Sequence, residues 1–114
     1  MPSVSDGAGP RPARVLIAIL VYNGRSFLQA CIESASRIRS DTHTVDVLVL
    51  DDCSPEPGLS EEVRALCASV GAQYYRSPRN LGIPRNMNLG LLRGLSAGYD
   101  QVVLCNSDVV LPHN

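Results

Sequence analysis

The chain has 114 residues, of which 45% are hydrophobic and 18% are charged, and its formal net charge is -1. This length suits a single domain, and the composition is that of a globular protein rather than a disordered chain. The near-neutral charge gives no indication of a nucleic-acid partner, and the longest apolar run, at residues 15–22, is too short to span a bilayer.

The amino-terminal end and the cysteines indicate how the domain begins and where it works. Residues 1–13 are rich in Pro, Gly and Ser, so we expect a disordered leader there and a folded part over residues 14–114. No two of the four cysteines form a C-x-x-C pair. They are interpreted as small buried hydrophobes in a reducing compartment. We therefore expect a cytoplasmic protein, and we expect no membrane span in this chain. Any association with a membrane would be a property of a longer protein. The cysteines are Cys31, Cys53, Cys67 and Cys105.

Apolar periodicity predicts strands and helices in strict alternation. Continuous apolar runs at residues 14–21 and 45–50 predict buried parallel strands, with a short strand at 73–76 and a last strand at 101–105. Helical spacing predicts helices over residues 26–39, with Ser26 as the N-cap, over 60–70, ended by Gly71, and over 84–95. This order predicts an α/β fold, a Rossmann-like, open, mostly parallel sheet with helices on both faces.

Each predicted helix has an apolar stripe that we expect to pack in the core. In the first helix this stripe includes Phe27 and Leu28, and in the second it includes Val63 and Leu66. In the third helix the spacing assigns the core positions to Met87, Leu91 and Leu95.

Polar residues follow all three long strands at the points where these strands end. Because the carboxyl ends of parallel strands meet at one edge of a sheet, we expect the three clusters to lie together. Their carboxylates and amides can accept hydrogen bonds from a base or a ribose, and one carboxylate can ligate a cation that bridges a diphosphate. Simple turns remain the alternative, since Asn, Asp and Ser favour turns. The clusters are Tyr22-Asn23, Asp51-Asp52 and Asn106-Ser107-Asp108.

The absence of lysine and of a glycine-rich motif argues against three other α/β folds. All ten basic residues are arginine, so the G-x-x-x-x-G-K-[ST] loop of P-loop NTPases is missing. No G-x-G-x-x-G follows the first strand, so the dinucleotide fingerprint is missing as well. A receiver-type signalling domain would use a lysine on a later strand, and this chain has no lysine to supply it.

Four segments, in this order, resemble family-2 glycosyltransferases. The family implies a glycosyltransferase A-type fold, inverting sugar transfer, a nucleoside-diphosphate-sugar donor and Mg²⁺ or Mn²⁺ as the cofactor. The likeness extends over nearly all of residues 14–112. The segments are Val21-Tyr22-Asn23, Val49-Leu50-Asp51-Asp52-Cys53-Ser54, Arg79-Asn80-Leu81-Gly82 with Asn88-Leu89-Gly90, and Leu104-Cys105-Asn106-Ser107-Asp108-Val109.

The resemblance implies a role for ten residues. Tyr22 and Asn23 would line the nucleotide pocket, and one of Asp51 and Asp52 would contact the base. The loop and helix beside the diphosphate would contain Arg79, Asn80, Gly82 and Asn88, with the arginine neutralising phosphate charge. The family's D-x-D metal motif is matched by Asn106-Ser107-Asp108. Its first Asp is replaced by Asn106, which keeps a hydrogen bond for the ribose, and Asp108 is the expected metal ligand.

The resemblance also implies what the chain lacks. Inverting transfer needs a general base, which the family places after the metal motif, so we expect that base beyond Asn114. The chain is then the donor-binding half of a domain, inactive in transfer by itself and exposing apolar surface. The acceptor is an unspecified glycan, lipid or protein. One alternative is a non-catalytic nucleotide-binding or interaction module of the same fold, and another is a nucleotidyltransferase.

Overall fold

A four-stranded parallel sheet forms the centre of the computed structural model, which describes residues 12–107. Within these residues the strand order is β3-β2-β1-β4, and all three neighbouring pairs run parallel. The predicted open, parallel, Rossmann-like sheet is therefore confirmed. The strands are β1 (Ala13–Val21), β2 (His43–Asp51), β3 (Gln73–Arg76) and β4 (Gln101–Asn106).

Helices cover both faces of the sheet, as predicted. Side chains at odd positions of β1 and β2, such as Ile17 and Val49, pack in one core with two helices, and those at even positions, such as Ala18 and Leu50, lie in a second core. This separation follows from the strand geometry, because successive side chains point to opposite faces. The first core lies under α1 (Arg25–Ser36) and α2 (Leu59–Val70), and α3 (Ile83–Ser96) lies on the other face.

The structure moves both ends of α1, which begins one residue before the predicted start and ends at Ser36, three residues before the predicted end. The residue before α1 is Gly24, in a left-handed conformation with φ 82°, and no side chain caps the helix, so the prediction of Ser26 as N-cap was wrong. The left-handed turn starts the helix one residue earlier, which leaves Ser26 inside its first turn. At the other end, the Nε of Arg37 donates to the Glu33 carbonyl and the Nη1 of Arg39 to the Ser36 carbonyl. These contacts satisfy carbonyls that the end of a helix leaves without partners.

The buried face of α3 is not the predicted one. It is formed by Asn86, Gly90 and Gly94, whereas Leu91 and Leu95 are 37% and 60% exposed. A Cβ atom at Gly90 would lie 2.9 Å from Leu50 Cδ1, so the helix approaches the sheet more closely than a larger residue permits. The spacing of large apolar residues therefore indicated the wrong side of this helix.

This correction predicts that an apolar residue of α3 contributes little to stability. We expect Leu95→Gln to change the free energy of unfolding by less than about 0.5 kcal/mol, because the side chain is already largely in water. The buried Leu50, changed to alanine, is expected to cost about 2 to 5 kcal/mol. Urea unfolding followed by circular dichroism measures both. A loss above about 2 kcal/mol in Leu95→Gln would restore Leu95 to the core.

Three further predictions concern the cysteines, the amino-terminal leader and membrane-spanning helices. Cys31 and Cys67 are buried as expected, whereas Cys53 and Cys105 are only half-buried. Burial raises the pKa of the Cys67 thiol to about 11. The predicted leader, residues 1–13, lies almost wholly outside the described residues, and it stays a prediction. None of the helices found within residues 12–107 is long and apolar enough to cross a bilayer.

Candidate functional site

The polar clusters that follow the strands meet at one edge of the sheet. The register pairs Val21 of β1 with Asp51 of β2, and Leu20 with Asn106 of β4. One more backbone hydrogen bond, 2.8 Å from the Asp52 N–H to the Val21 carbonyl, continues the pairing past the end of β1. The carboxyl ends of β1, β2 and β4 therefore lie side by side, as the parallel arrangement requires.

A cavity of about 360 Å³ lies at this edge. Its volume is within the range of small-molecule sites, and its position outside the carboxyl ends of parallel strands is the usual ligand position in open α/β sheets. Carboxylate, amide and hydroxyl groups share its surface with aromatic and aliphatic side chains. The lining residues are Leu20, Val21, Tyr22, Asn23, Gly24, Phe27, Asp52, Ile83, Asn86, Asn106 and Ser107.

Asp52 lies at the junction of the cavity and the loop before α3. Its carboxylate accepts hydrogen bonds from the backbone N–H groups of Leu81, at 2.7 Å, and Gly82, at 3.0 Å. The Nδ2 of Asn80 adds a third, at 3.2 Å. Asn80 and Gly82 thus hold the Asp52 carboxylate in place, and neither is among the described residues that line the cavity.

The neighbouring Asp51 has a different position. Its side chain is fully buried, and its carboxylate accepts hydrogen bonds from the hydroxyl groups of Ser60, at 2.6 Å, and Tyr74, at 2.7 Å, and from the Ser54 N–H, at 3.0 Å. Burial alone would raise the pKa of this carboxyl, but the hydrogen bonds outweigh it and hold the pKa below its usual value. The sequence left open which of the two carboxylates would contact the base. Burial removes Asp51 as a candidate, and of the pair only Asp52 lines the cavity.

Tyr22 and Asn23 both line the cavity, in different ways. The Tyr22 side chain is exposed at the rim. Asn23 has a left-handed backbone, φ 55°, and its side-chain Oδ1 accepts the Glu56 N–H at 3.2 Å, while its own N–H donates to the Ser54 hydroxyl at 2.9 Å. Asn23 therefore connects the loops that follow β1 and β2 and shapes the cavity wall between them.

Two predicted residues lie away from the cavity. Arg79 and Asn88 are exposed, and neither belongs to the lining found among residues 12–107. No lysine or arginine is part of that lining. Neutralisation of a bound phosphate by Arg79 therefore has no support from its position in the described part of the chain.

Several lining residues were not recognised as site residues in the sequence, among them Phe27, Ile83 and Asn86. Phe27, predicted to be a core residue, is 58% exposed, and with Ile83 it forms apolar cavity wall. Asn86 is buried, and its spacing of four residues from Gly90, and of eight from Gly94, places it on the same face of α3. The spacing of this polar residue from the two glycines was the sequence signal for the buried face of α3. Large apolar residues at another spacing indicated a different face.

The donor atoms at the cavity suit a hard cation. Asp52, Asn106 and Ser107 offer side-chain oxygens, the ligands that Mg²⁺ and Mn²⁺ prefer. Within residues 12–107 no group of three His, Cys, Asp or Glu side chains is arranged to hold a metal. The predicted ligand, Asp108, lies outside the described residues and directly follows Ser107 in the chain.

The fold and the site together define an α/β domain that presents a ligand cavity at the carboxyl edge of a parallel sheet. Residues 16–114 match the family described as glycosyl transferase family 2, and the chain belongs to that family. It is therefore a glycosyltransferase-like domain with the architecture that the sequence predicted. A comparison with curated proteins found no match.

Solved glycosyltransferase structures share this fold. The mannosyltransferase PcManGT from Pyrobaculum calidifontis, in complex with GDP-Man and Mn²⁺, is 21% identical with a TM-score of 0.72, over 91% of this chain and 30% of that one. S. aureus TarS 1-349 with UDP is 20% identical with a TM-score of 0.66, over 83% and 27%. The same TarS fragment with UDP-GlcNAc is 20% identical with a TM-score of 0.61, over 83% and 26%. The chain thus spans less than a third of the length of these proteins.

Proposed function

We propose that this domain binds a nucleoside-diphosphate sugar in the cavity at the carboxyl edge of the sheet, for inverting transfer of a hexose. The observation that carries the proposal is the cavity itself, which combines apolar walls with the acceptor groups of Asp52, Asn86 and Asn106. The ligands of the similar structures, UDP, UDP-GlcNAc and GDP-Man, support this class of donor. The proposed acceptor is a glycan, lipid or protein.

Asp52 is proposed as the carboxylate that contacts the nucleoside. A carboxylate offers about four lone pairs for hydrogen bonds. Three of these are used by Asn80, Leu81 and Gly82, which leaves one for a ligand in the cavity. The same three contacts orient the carboxylate before any ligand arrives, so less conformational freedom is lost on binding. Tyr22 offers a ring at the rim against which a base or sugar can pack.

A divalent cation, Mg²⁺ or Mn²⁺, is proposed to accompany the diphosphate. No basic side chain belongs to the described lining, so the charge of a diphosphate needs a partner from elsewhere. We propose Asp108 as the protein ligand, beside the oxygen donors of Asn106 and Ser107, and Mn²⁺ in the PcManGT complex supports this choice. When bound, such a cation stabilises the charge of the departing nucleoside diphosphate.

The general base and the compartment complete the proposal. We propose that the base lies beyond Asn114 and that the 114-residue chain binds donor without transferring sugar. The burial of Cys31 and Cys67 as small apolar side chains supports a reducing, cytoplasmic environment. The nucleotidyltransferase alternative is not favoured, since the basic residue it would use after β1, Arg25, forms ion pairs with Glu56 and Glu62.

Nucleotide titration of the chain tests this function. With MnCl₂ present, we expect UDP or GDP to bind, and Asp108→Ala to weaken that binding about tenfold or more because a metal ligand is lost. Isothermal titration calorimetry with and without MnCl₂ measures the effect. Asp41→Ala is the matched control, since this exposed aspartate precedes β2 at the opposite edge of the sheet, and it should bind as wild type does. A folded wild-type chain that binds neither nucleotide would contradict the proposal.

A further inference from the structure

A buried asparagine is among the residues that line the cavity. Asn86 is in the first turn of α3, where its N–H donates to the Gly82 carbonyl at 3.0 Å, and the residue is only 3% exposed. It lines the cavity together with Asp52 and Ile83. A polar side chain is costly to bury without a hydrogen-bond partner, so each end of its amide requires an explanation.

One end of the Asn86 amide is accounted for, and the other is not. Nδ2 lies 3.5 Å from the Leu50 carbonyl and donates to it. A carbonyl only accepts hydrogen bonds, so this contact determines which end of the amide is which. Oδ1 is therefore the free end. It is buried and accepts no hydrogen bond from any residue of the part of the chain that the structure describes.

The chemistry of Oδ1 restricts the group that can satisfy it. An amide oxygen accepts hydrogen bonds, so its partner must carry an N–H or O–H. The oxygens of an ionised diphosphate are acceptors and are repelled there. Tyr22, Phe27 and Ile83 add exposed apolar wall to the same cavity, which suits the faces of a flat ring whose polar edge is turned inward. A nucleobase has both features.

We propose that Asn86 determines base specificity, with its Oδ1 accepting a hydrogen bond from a ring N–H of the nucleobase. This assignment rests on the proposed function, because it places the base of the same donor in the same cavity. Uracil, at N3, and guanine, at N1, carry such an N–H. Asn86 recognises this edge of the base through Oδ1. The hydrogen bond from Nδ2 to the Leu50 carbonyl of β2 fixes the orientation of the amide.

Paired substitutions of the protein and of the nucleotide test the assignment. Asn86→Leu removes the acceptor with little change in side-chain volume, and Asn88→Leu makes the same change at an exposed position of α3 outside the described lining. Binding of UDP and N3-methyl-UDP, or of GDP and N1-methyl-GDP if GDP binds more tightly, is measured by calorimetry with MnCl₂. Asn86→Leu is expected to weaken binding of the unmodified nucleotide about tenfold, the effect of one lost hydrogen bond to a buried acceptor.

The effects of the Asn86→Leu substitution and of N-methylation on the binding free energy should not be additive. N-methylation should weaken binding to wild type and to Asn88→Leu by about tenfold or more, but change binding to Asn86→Leu by less than about threefold. Equal losses on methylation in wild type and Asn86→Leu would overturn the assignment. A larger effect of removing a ribose hydroxyl in wild type than in Asn86→Leu would overturn it too, in favour of the ribose.

Failure of the assignment and failure of the proposed function are distinguishable. A wild-type chain that binds UDP or GDP, with an Asn86→Leu variant that binds equally well, overturns only the role of Asn86. A folded wild-type chain that binds no nucleotide overturns both. If Asn86→Leu does not fold, Asn86→Ala, which adds no atoms to the cavity wall, replaces it in the same cycle. A purely structural asparagine would lower the melting temperature when substituted and leave the preference between methylated and unmodified nucleotide unchanged.

Discussion

Replacing Asp51 with alanine is expected to lower the free energy of unfolding by about 3 to 5 kcal/mol. The substitution removes the acceptor of three hydrogen bonds and leaves the buried or half-buried donors of Ser54, Ser60 and Tyr74 without that partner. Domains of this size are usually stable by only about 5 to 15 kcal/mol, so much of the total would be lost. Urea unfolding followed by circular dichroism measures the change.

A second variant distinguishes the contribution of the Asp51 carboxylate from that of a single hydrogen-bond donor. Tyr74→Phe removes one donor and leaves the Asp51 carboxylate with hydrogen bonds from Ser54 and Ser60, so we expect a loss of about 1.5 kcal/mol. If Asp51→Ala were no more destabilising than Tyr74→Phe, the carboxylate would not be the centre of this network. Asp51 would then be available again as a ligand residue.

The acid stability of the chain gives an independent measure of Asp51. Its pKa in the folded state is held below its usual value of 3.8, despite burial, by hydrogen bonds from Ser60, Tyr74 and Ser54. A lowered pKa means that the charged form stabilises the fold at pH values above 3.8, and that this contribution is lost as the pH falls through the folded-state value. Wild type should therefore lose stability below about pH 4 more steeply than Asp51→Asn, which does not titrate.

Gly94→Val is expected to lower the free energy of unfolding by about 3 kcal/mol. A Cβ atom at Gly94 would collide with Val102 Cγ2 and lie 3.2 Å from Leu16 Cδ2, so α3 would have to move away from the sheet. Overpacking in a well-packed core typically costs about 1 to 3 kcal/mol, and valine adds two methyl groups beyond the clashing Cβ. The better helix propensity of valine offsets only a fraction of this cost.

Ser96→Val is the matched control for Gly94→Val. Ser96 is exposed in the last turn of the same helix, so the same new side chain should change the free energy of unfolding by about 0.5 kcal/mol or less. Thermal and urea unfolding of both variants measure the difference. Equal stability of the two variants would mean that α3 lies further from β1 and β4 than the structure shows.

The sequence alone determined the order of the elements and the edge of the sheet where the polar clusters meet. Continuous apolar runs and helical spacing are local patterns, and the alternation they predicted permits few topologies other than a parallel sheet. Once the strands are parallel, their carboxyl ends share an edge. The sequence therefore predicted that Tyr22, Asp52 and Asn106 lie together, and all three line the cavity.

Only the tertiary structure decided which member of each candidate group reaches the cavity. Asp51 and Asp52 are adjacent and chemically identical, yet one is enclosed by α2 and β3 and the other contacts the loop before α3. For α3, two glycines allow a close approach to the sheet, so Asn86 turns inward while Leu91 and Leu95 turn outward. Burial and hydrogen bonding at these positions depend on partners that are distant in the chain, whereas periodicity reports only on neighbours.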